Sequence, residues 1–300
     1  MRVAIPGGSG LIGRALVRQL AARGDEVVML SRDPARAKEA FGDEIAAAYG
    51  PEQLETALSG ADAVINLAGE PVAQRWNAKV KELIRASRVD RTQRLVSILG
   101  SLPADVRPKV LVSSSASGYY GDGRDAERDE SSPAGTDFLA SVCIEWERAA
   151  SGATDLGLRV ALIRTGIVLA RAGGALKTML PPFRAGVGGR IGSGEQYMPW
   201  IHIDDIVGLY LAALSGDEWT GPINGGSPNP ATNAEFTREL GRALHRPAVM
   251  PVPTLALKAL YGEMAGVLVT GQRMIPAKPL ALGYQFAYTS LPDALAAALG

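Results

Sequence analysis

Gly7, Gly10 and Gly13 stand at intervals of three residues in the run Gly7-Gly8-Ser9-Gly10-Leu11-Ile12-Gly13. Such residues make no bonds themselves; they clear side chains from a place where an anion has to meet backbone. Gly7 permits a sharp turn. Gly10 lacks the Cβ that would hold a pyrophosphate away from a helix N-terminus, whose free N–H groups (Leu11, Ile12) and positive pole attract it. Gly13 lets that helix approach the preceding strand. The flanking sequence supplies both elements: an apolar run, Arg2 to Pro6, ends at the glycines, and a helical pattern of Leu11, Ile12, Ala15, Leu16 and Leu20 follows. A second apolar run, Glu26 to Leu30, closes the unit. Strand, glycine turn, helix, strand is the context that makes a glycine motif a dinucleotide site. In a chain with 35 glycines the turn alone would say little.

Ser31-Arg32 follows the second run and narrows the ligand. An acid at this place would bind a ribose 2′-hydroxyl and repel a 2′-phosphate. A hydroxyl followed by a guanidinium does the reverse, because the guanidinium binds phosphate bidentately. The expected cofactor is therefore NADP(H). Asp33, one residue on, would be the acid if the strand ended later. Three further strand ends complete the expected cofactor surface: Asn66-Leu67-Ala68-Gly69, Ser113, and Thr165.

Hydroxyls cluster in Ser113-Ser114-Ser115-Ala116-Ser117-Gly118-Tyr119-Tyr120-Gly121. Ser115 can hydrogen-bond a substrate oxygen, and Tyr120 or Tyr119 can supply a proton; aromatic packing under the cofactor is the plainer use of the two rings. Arg164 reads equally as a cleft residue or a structural ion pair. His202, ahead of Asp204-Asp205, reads as structural, and Cys143 as a buried small side chain. Arg75 and Trp76 either meet a substrate or precede a helix cap.

The elements that must position these residues alternate. Strands are expected at Arg2–Pro6, Glu26–Leu30, Ile45–Tyr49, Ala63–Leu67, Lys109–Ser113 and Arg159–Arg164, with helices between them, one running unbroken from Asn77 to Leu99. Its many charges read as a solvated face. Apolar runs alternating with helices predict an α/β fold, a Rossmann-type doubly wound parallel sheet with ligands beyond the strands' carboxyl ends. A dinucleotide-binding domain is expected over residues 1–168, completed by 200–228, and a smaller substrate-side region over 169–300. In the latter, Gly173 to Tyr197 has weak periodicity, and Arg184 and Arg190 hold an anionic or nucleotide-linked small molecule or face water. Further helices are expected from Ile206 to Leu214, Asn233 to Leu244, Leu255 to Val269 and Pro292 to Leu299.

Composition excludes other classes. Lysine plus arginine and aspartate plus glutamate number 31 each, so no nucleic-acid footprint or anionic-membrane patch is expected. A single cysteine and 2 histidines exclude a disulfide framework and make a structural metal site unexpected. The chain opens with a strand rather than a signal peptide, and Val249 to Val269 is broken by prolines, Lys258 and Glu263. A cytoplasmic protein is expected.

The chain resembles an extended short-chain dehydrogenase/reductase of the NAD(P)-dependent epimerase family. The matching pieces are Gly7–Gly13, Asn66–Gly69, Ser113–Ser115 and Trp200–Asp205. Within it, Ser115–Gly121, Cys143–Glu147, Gly262–Ala265 and Gly271–Arg273 resemble an atypical subgroup with a C-terminal extension. The resemblance implies a cofactor-dependent oxidoreductase or epimerase, with a homodimer through helices near Asn77–Leu99 and Phe138–Ala150. It also implies a Tyr-x-x-x-Lys pair, in which the lysine lowers the tyrosine pKa and holds a ribose. Here those places fall at Phe138 and Val142, and none of the 8 tyrosines has a lysine four residues later. Two readings stay open: a reductase with a relocated acid, and a non-catalytic NADPH-binding sensor.

Overall fold

The computed structural model describes residues 1–300. Seven strands pair into one sheet: β1 (Arg2–Pro6), β2 (Glu26–Leu30), β3 (Ala47–Tyr49), β4 (Ala63–Asn66), β5 (Val110–Ala116), β6 (Arg159–Thr165) and β7 (Gly221–Gly225). Their spatial order is β7-β6-β5-β4-β1-β2-β3, and every neighbouring pair is parallel. The order reverses between β1 and β4, which opens a crevice at the strands' carboxyl ends. The expected α/β doubly wound sheet is what the chain forms.

Parallel strands need crossovers, and the main ones are α1 (Leu11–Ala22), α2 (Ala78–Ala86), α3 (Val89–Ser101), α4 (Phe138–Ser151) and α5 (Ile203–Ser215). Because side chains alternate along a strand, β1 sends Val3 and Ile5 to one face and Ala4 to the other. The first face packs on Leu16, Val17 and Leu20 of α1 and Ile206, Leu209 and Tyr210 of α5. The second packs on Leu95 and Leu99 of α3 and Ala150 of α4. Fully burying one such aliphatic side chain is worth about 1.5–3 kcal/mol, so the two layers carry much of the stability. A separate core joins Leu176, Leu180, Phe183, Phe236, Leu240 and Leu295 from helices Gly174–Arg184, Asn233–Ala243 and Leu291–Leu299. Asp205 of α5 ties this part to the sheet, its carboxylate accepting the N–H groups of Ala287 (2.7 Å) and Tyr288 (3.0 Å).

Four elements differ from expectation. The helix expected from Asn77 to Leu99 is broken at Ser87-Arg88. There the Ser87 hydroxyl donates to the Ile84 carbonyl (3.1 Å) and accepts the Glu70 N–H (2.9 Å), replacing helix bonds with a tie to the loop after β4. The weakly periodic stretch contains the helix Gly174–Arg184 with Pro181 and Pro182 inside it, held by burial of Leu176, Leu180 and Phe183. The helix expected from Ile206 starts at Ile203, where the His202 imidazole accepts the Asp204 N–H as a cap. The helix expected over Leu255 to Val269 is three short pieces, turning at Gly262 with φ of 63°.

Candidate functional site

The glycine loop is built as its spacing requires. Gly7 has φ of 82°, and a Cβ there would lie 2.7 Å from the Leu67 carbonyl carbon. A Cβ on Gly13 would sit 2.5 Å from the Gly8 carbonyl oxygen, so the helix and loop close on a hydrogen. At Gly10 the nearest atom would be 3.4 Å away, which leaves that side open. α1 has neither a side-chain cap nor an acid in its first turn. Its free N–H groups therefore meet the cleft uncompensated, as an anion site requires. The residues present fit a dinucleotide.

Two clefts share this loop. One, of about 490 Å³, is lined by Gly7, Gly10, Ser31, Arg32, Asn66, Leu67, Ala68 and Gly69, together with Arg91 and Arg94. The other, of about 340 Å³, is lined by Gly7, Gly10, Leu11, Ile12, Gly13, Leu67, Ser114 and Gly166. Asp33 is removed from contention: its carboxylate accepts the Arg36 N–H at 3.0 Å and caps the following helix. The Ser31 hydroxyl donates to the Asp33 carbonyl (3.0 Å) and accepts its N–H (3.2 Å), which fixes the turn. Arg32 makes no ion pair or side-chain hydrogen bond within the chain and lines the cleft. Arg91 and Arg94, read from sequence as solvated charge, join it. Their spacing of three on the helix after the Asn66–Gly69 turn was the available signal.

Ser113 departs from its expected role. It is fully buried, and its hydroxyl accepts from Asn66 Nδ2 at 3.3 Å. Asn66 Nδ2 also donates to Thr92 Oγ1 (3.0 Å), which accepts from Trp146 Nε1 (3.0 Å). This buried chain fixes the β4 end while Leu67, Ala68 and Gly69 present backbone to the cleft. Thr165 turns its hydroxyl back to the Ile163 carbonyl at 3.3 Å, and it is the adjoining Gly166 that lines the smaller cleft.

The expected catalytic residues are corrected more sharply. Ser115 is 3 % exposed and donates to Glu147 Oε1 at 2.6 Å. Glu147 grips Arg164 bidentately, with Nε to Oε1 and Nη2 to Oε2 both 2.8 Å. Arg164 Nη1 donates to the Tyr120 hydroxyl at 2.9 Å, and that hydroxyl lies 2.7 Å from Asn224 Oδ1 and 2.8 Å from the Asp129 carbonyl. Tyr120 is 2 % exposed, and burial pushes its pKa up to about 12 against the opposing pull of Arg164. Neither Ser115 nor Tyr120 faces a substrate; both belong to a closed polar network around a buried ion pair. Burial alone would lower the Arg164 pKa, but the hydrogen bonds and charge of Glu147 hold it above its ordinary value.

Tyr119 stays half-buried, its ring centre 3.4 Å from the Arg164 guanidinium carbon and its hydroxyl free of hydrogen bonds. Ser114, on the smaller cleft, shares a 2.5 Å hydrogen bond with Tyr210. Phe138 packs edge-on to Trp76 at 5.3 Å, and Val142 is buried. The places of the tyrosine and lysine are thus apolar in space as in sequence. Burial raises the Cys143 thiol to about 12, so it is no nucleophile. His202 is buried against Tyr288 in its capping role. Arg75 donates to the Ala259 carbonyl, and Trp76 Nε1 to the Val72 carbonyl at 2.9 Å. Arg190 faces a separate depression of about 720 Å³ with Arg238, Arg242 and Arg246, which shares no residue with the two clefts.

Comparison with known proteins agrees with this geometry. The model of the NAD dependent epimerase/dehydratase family matches residues 3–223, and that of a domain of unknown function, DUF1731, matches 252–298. The chloroplastic epimerase family protein SDR39U1 homolog of Arabidopsis thaliana is 43 % identical over 300 residues, covering 99 % of this chain and 86 % of that protein. The human epimerase family protein SDR39U1 is 41 % identical over 300 residues and 98 % of each chain. A crystal structure of human SDR39U1 (isoform 2) with NADPH superposes with a TM-score of 0.89 at 38 % identity, covering 100 % of this chain and 99 % of that one. UDP-glucuronic acid 4-epimerase from Bacillus cereus, at 18 % identity, shares the fold with a TM-score of 0.77 over 98 % of this chain and 96 % of that one. With a glycine cradle, a seven-stranded parallel sheet and full-length relatives in agreement, this chain is a member of the NAD dependent epimerase/dehydratase family.

Proposed function

We propose that this protein binds NADP(H) across the carboxyl ends of β1, β2 and β4 and works as a reductase on a small-molecule substrate. The observation that carries the cofactor choice is the cleft composition after β2: Arg32 is free, Arg91 and Arg94 stand beside it, and Asp33 is spent as a helix cap. Three guanidinia with no acid at that strand end favour a phosphorylated ribose over a free diol. The superposed human protein, crystallised with NADPH, supports the same choice.

When bound, the cofactor supplies a hydride. The glycine loop and the start of α1 hold its pyrophosphate, and Arg32 with Arg91 and Arg94 orients its phosphorylated end. Leu67, Ala68 and Gly69 lie along it as bare backbone. Ser114 and Gly166 border the opposite cleft, where a substrate oxygen would find the Ser114 hydroxyl as its hydrogen-bond partner. With Phe138 in the tyrosine's place and Tyr120 sealed away, the proton that completes a reduction comes from solvent or from Tyr119. A site without a tuned acid–base pair suits one-way reduction better than epimerisation, which must remove a hydride and return it. The enclosure of Ser115 and Tyr120 favours the second reading, a sensor that binds NADPH without turnover.

The two are separated by incubating the protein with NADPH deuterated at the transferable position and a metabolite extract, against a boiled-protein control. A metabolite that gains deuterium identifies the reductase and its substrate together. Binding without label transfer leaves the sensor.

A further inference from the structure

The cofactor cleft accounts for Arg32, Arg91 and Arg94 but not for Arg88, the first residue ahead of α3. Its side chain turns inward. Nη1 donates to the Ile84 carbonyl and Nη2 to the Glu70 carbonyl, each at 3.0 Å, and the guanidinium carbon lies 5.4 Å from the centre of the Trp146 ring. The group lies flat against Gly69: a Cβ there would be 3.2 Å from Cζ and Nη2 and 3.5 Å from Nε. No carboxylate comes within ion-pair distance of it, while other arginines of the same region are paired, as Arg85 is with Glu145 at 2.7 Å. Nε makes no hydrogen bond within the chain and is not among its sealed, unpartnered polar atoms. Burial lowers the Arg88 pKa, opposed by the nearby Cys143 and Glu70. A half-buried guanidinium held by two carbonyls, with its charge uncompensated and donors left over, is poised for an external acceptor.

Its place in the fold says which part of the ligand that acceptor is. Sheet order puts β2, with Arg32, on one side of β1, and β4, with Gly69, on the other. A dinucleotide crossing the glycine loop therefore has its phosphorylated adenine half toward Arg32 and its nicotinamide half toward β4 and β5. Along one helix run Arg88, Arg91 and Arg94, covering roughly 9 Å at 1.5 Å per residue. The last two line the Arg32 cleft; Arg88 lies at the far end, beside Gly69.

We infer that Arg88 is a cofactor-positioning residue, contacting the nicotinamide-side ribose or its phosphate in bound NADP(H) from a helix other than the one that carries Val142. The inference rests on the cofactor reading above. It is chemically consistent with the rest of the site. A guanidinium stays charged at every working pH and can hold a ribose or phosphate, but it cannot exchange a proton. That is the half of the task left where no phenol stands next to it.

The test compares two probes whose shared part excludes the nicotinamide half: NADPH and adenosine 2′,5′-bisphosphate. Their affinities are measured by titration calorimetry for the wild type, Arg88→Gln and Arg88→Lys, with thermal melts of each. Arg88→Gln is expected to weaken NADPH about tenfold, as for one charge-assisted contact, and to leave the bisphosphate within about twofold. Arg88→Lys is expected to recover part of the NADPH loss. If Arg88→Gln does not melt cooperatively, Arg88→Lys carries the test, with a several-fold loss for NADPH alone. Unchanged NADPH affinity overturns the inference. Equal weakening of both probes also overturns it, because Arg88 would then only prop the loop against the helix. A wild type that binds neither probe removes the cofactor reading itself.

Discussion

At the scale of single residues, selectivity and stability rest on different guanidinia. Arg32 is unpaired and exposed to a cleft, so changing it alters binding and not folding. Arg32→Asp places a carboxylate where a 2′-phosphate would sit, and is expected to reverse the preference between NADPH and NADH by about tenfold or more, measured by cofactor fluorescence. Arg164 is the opposite case. Removing one partner of its buried pair leaves the other charge without compensation, at a cost of roughly 3–5 kcal/mol. Glu147→Gln is therefore expected to lower the melting temperature by several degrees with little change in NADPH affinity among molecules that remain folded; an unchanged melt contradicts the closed network. Tyr120→Phe should likewise leave cofactor affinity unchanged. These contrasts explain what the chain disclosed before folding. Gly7, Gly10, Gly13, Ser31 and Arg32 were legible because their work is local, done by neighbours in one turn. Ser115, Tyr120 and Ser113 misled because a hydroxyl at a strand end looks the same whether it faces a cleft or a partner such as Glu147, which lies 32 residues from Ser115.

At the scale of elements, strand positions followed from apolar runs, and β1 and β2 begin and end where the pattern placed them. The breaks did not follow. The kink at Ser87-Arg88 depends on Glu70, a residue of another loop, and no helical periodicity carries that information. The start of α5 depends on His202 acting as a cap through its ring nitrogen, an unusual choice for that position. This cap has a pH signature. Burial holds the imidazole below its ordinary 6.5, although Asp204 and Asp205 pull the other way. The folded state thus takes up that proton less readily than the unfolded chain. The stability is present above about pH 6.5 and is lost as pH falls through that value toward the folded pKa. Melting temperature should fall between about pH 7.5 and 5.5, and His202→Asn, which preserves a capping side chain, should flatten part of that slope. An identical slope in the variant would show that the proton is taken up elsewhere.

At the scale of the whole molecule, the C-terminal extension is part of the fold and not an appendage. Leu291, Leu295 and Ala298 complete the second core, and Ala287 and Tyr288 are bonded to Asp205. Removing residues 284–300 is expected to abolish a cooperative thermal transition in circular dichroism; a truncated chain that melts normally contradicts that integration. No helix is long and apolar enough to cross a membrane. The two clefts meeting at one glycine loop are the molecule's clearest functional feature, and the charge around the larger one makes a definite demand on its ligand. The most direct test is a side-by-side titration of the wild-type protein with NADPH and NADH at one ionic strength. NADPH binding at least about tenfold tighter is expected from a free Arg32 flanked by Arg91 and Arg94. Equal affinities, or a preference for NADH, would contradict the assignment of that cleft to a 2′-phosphate.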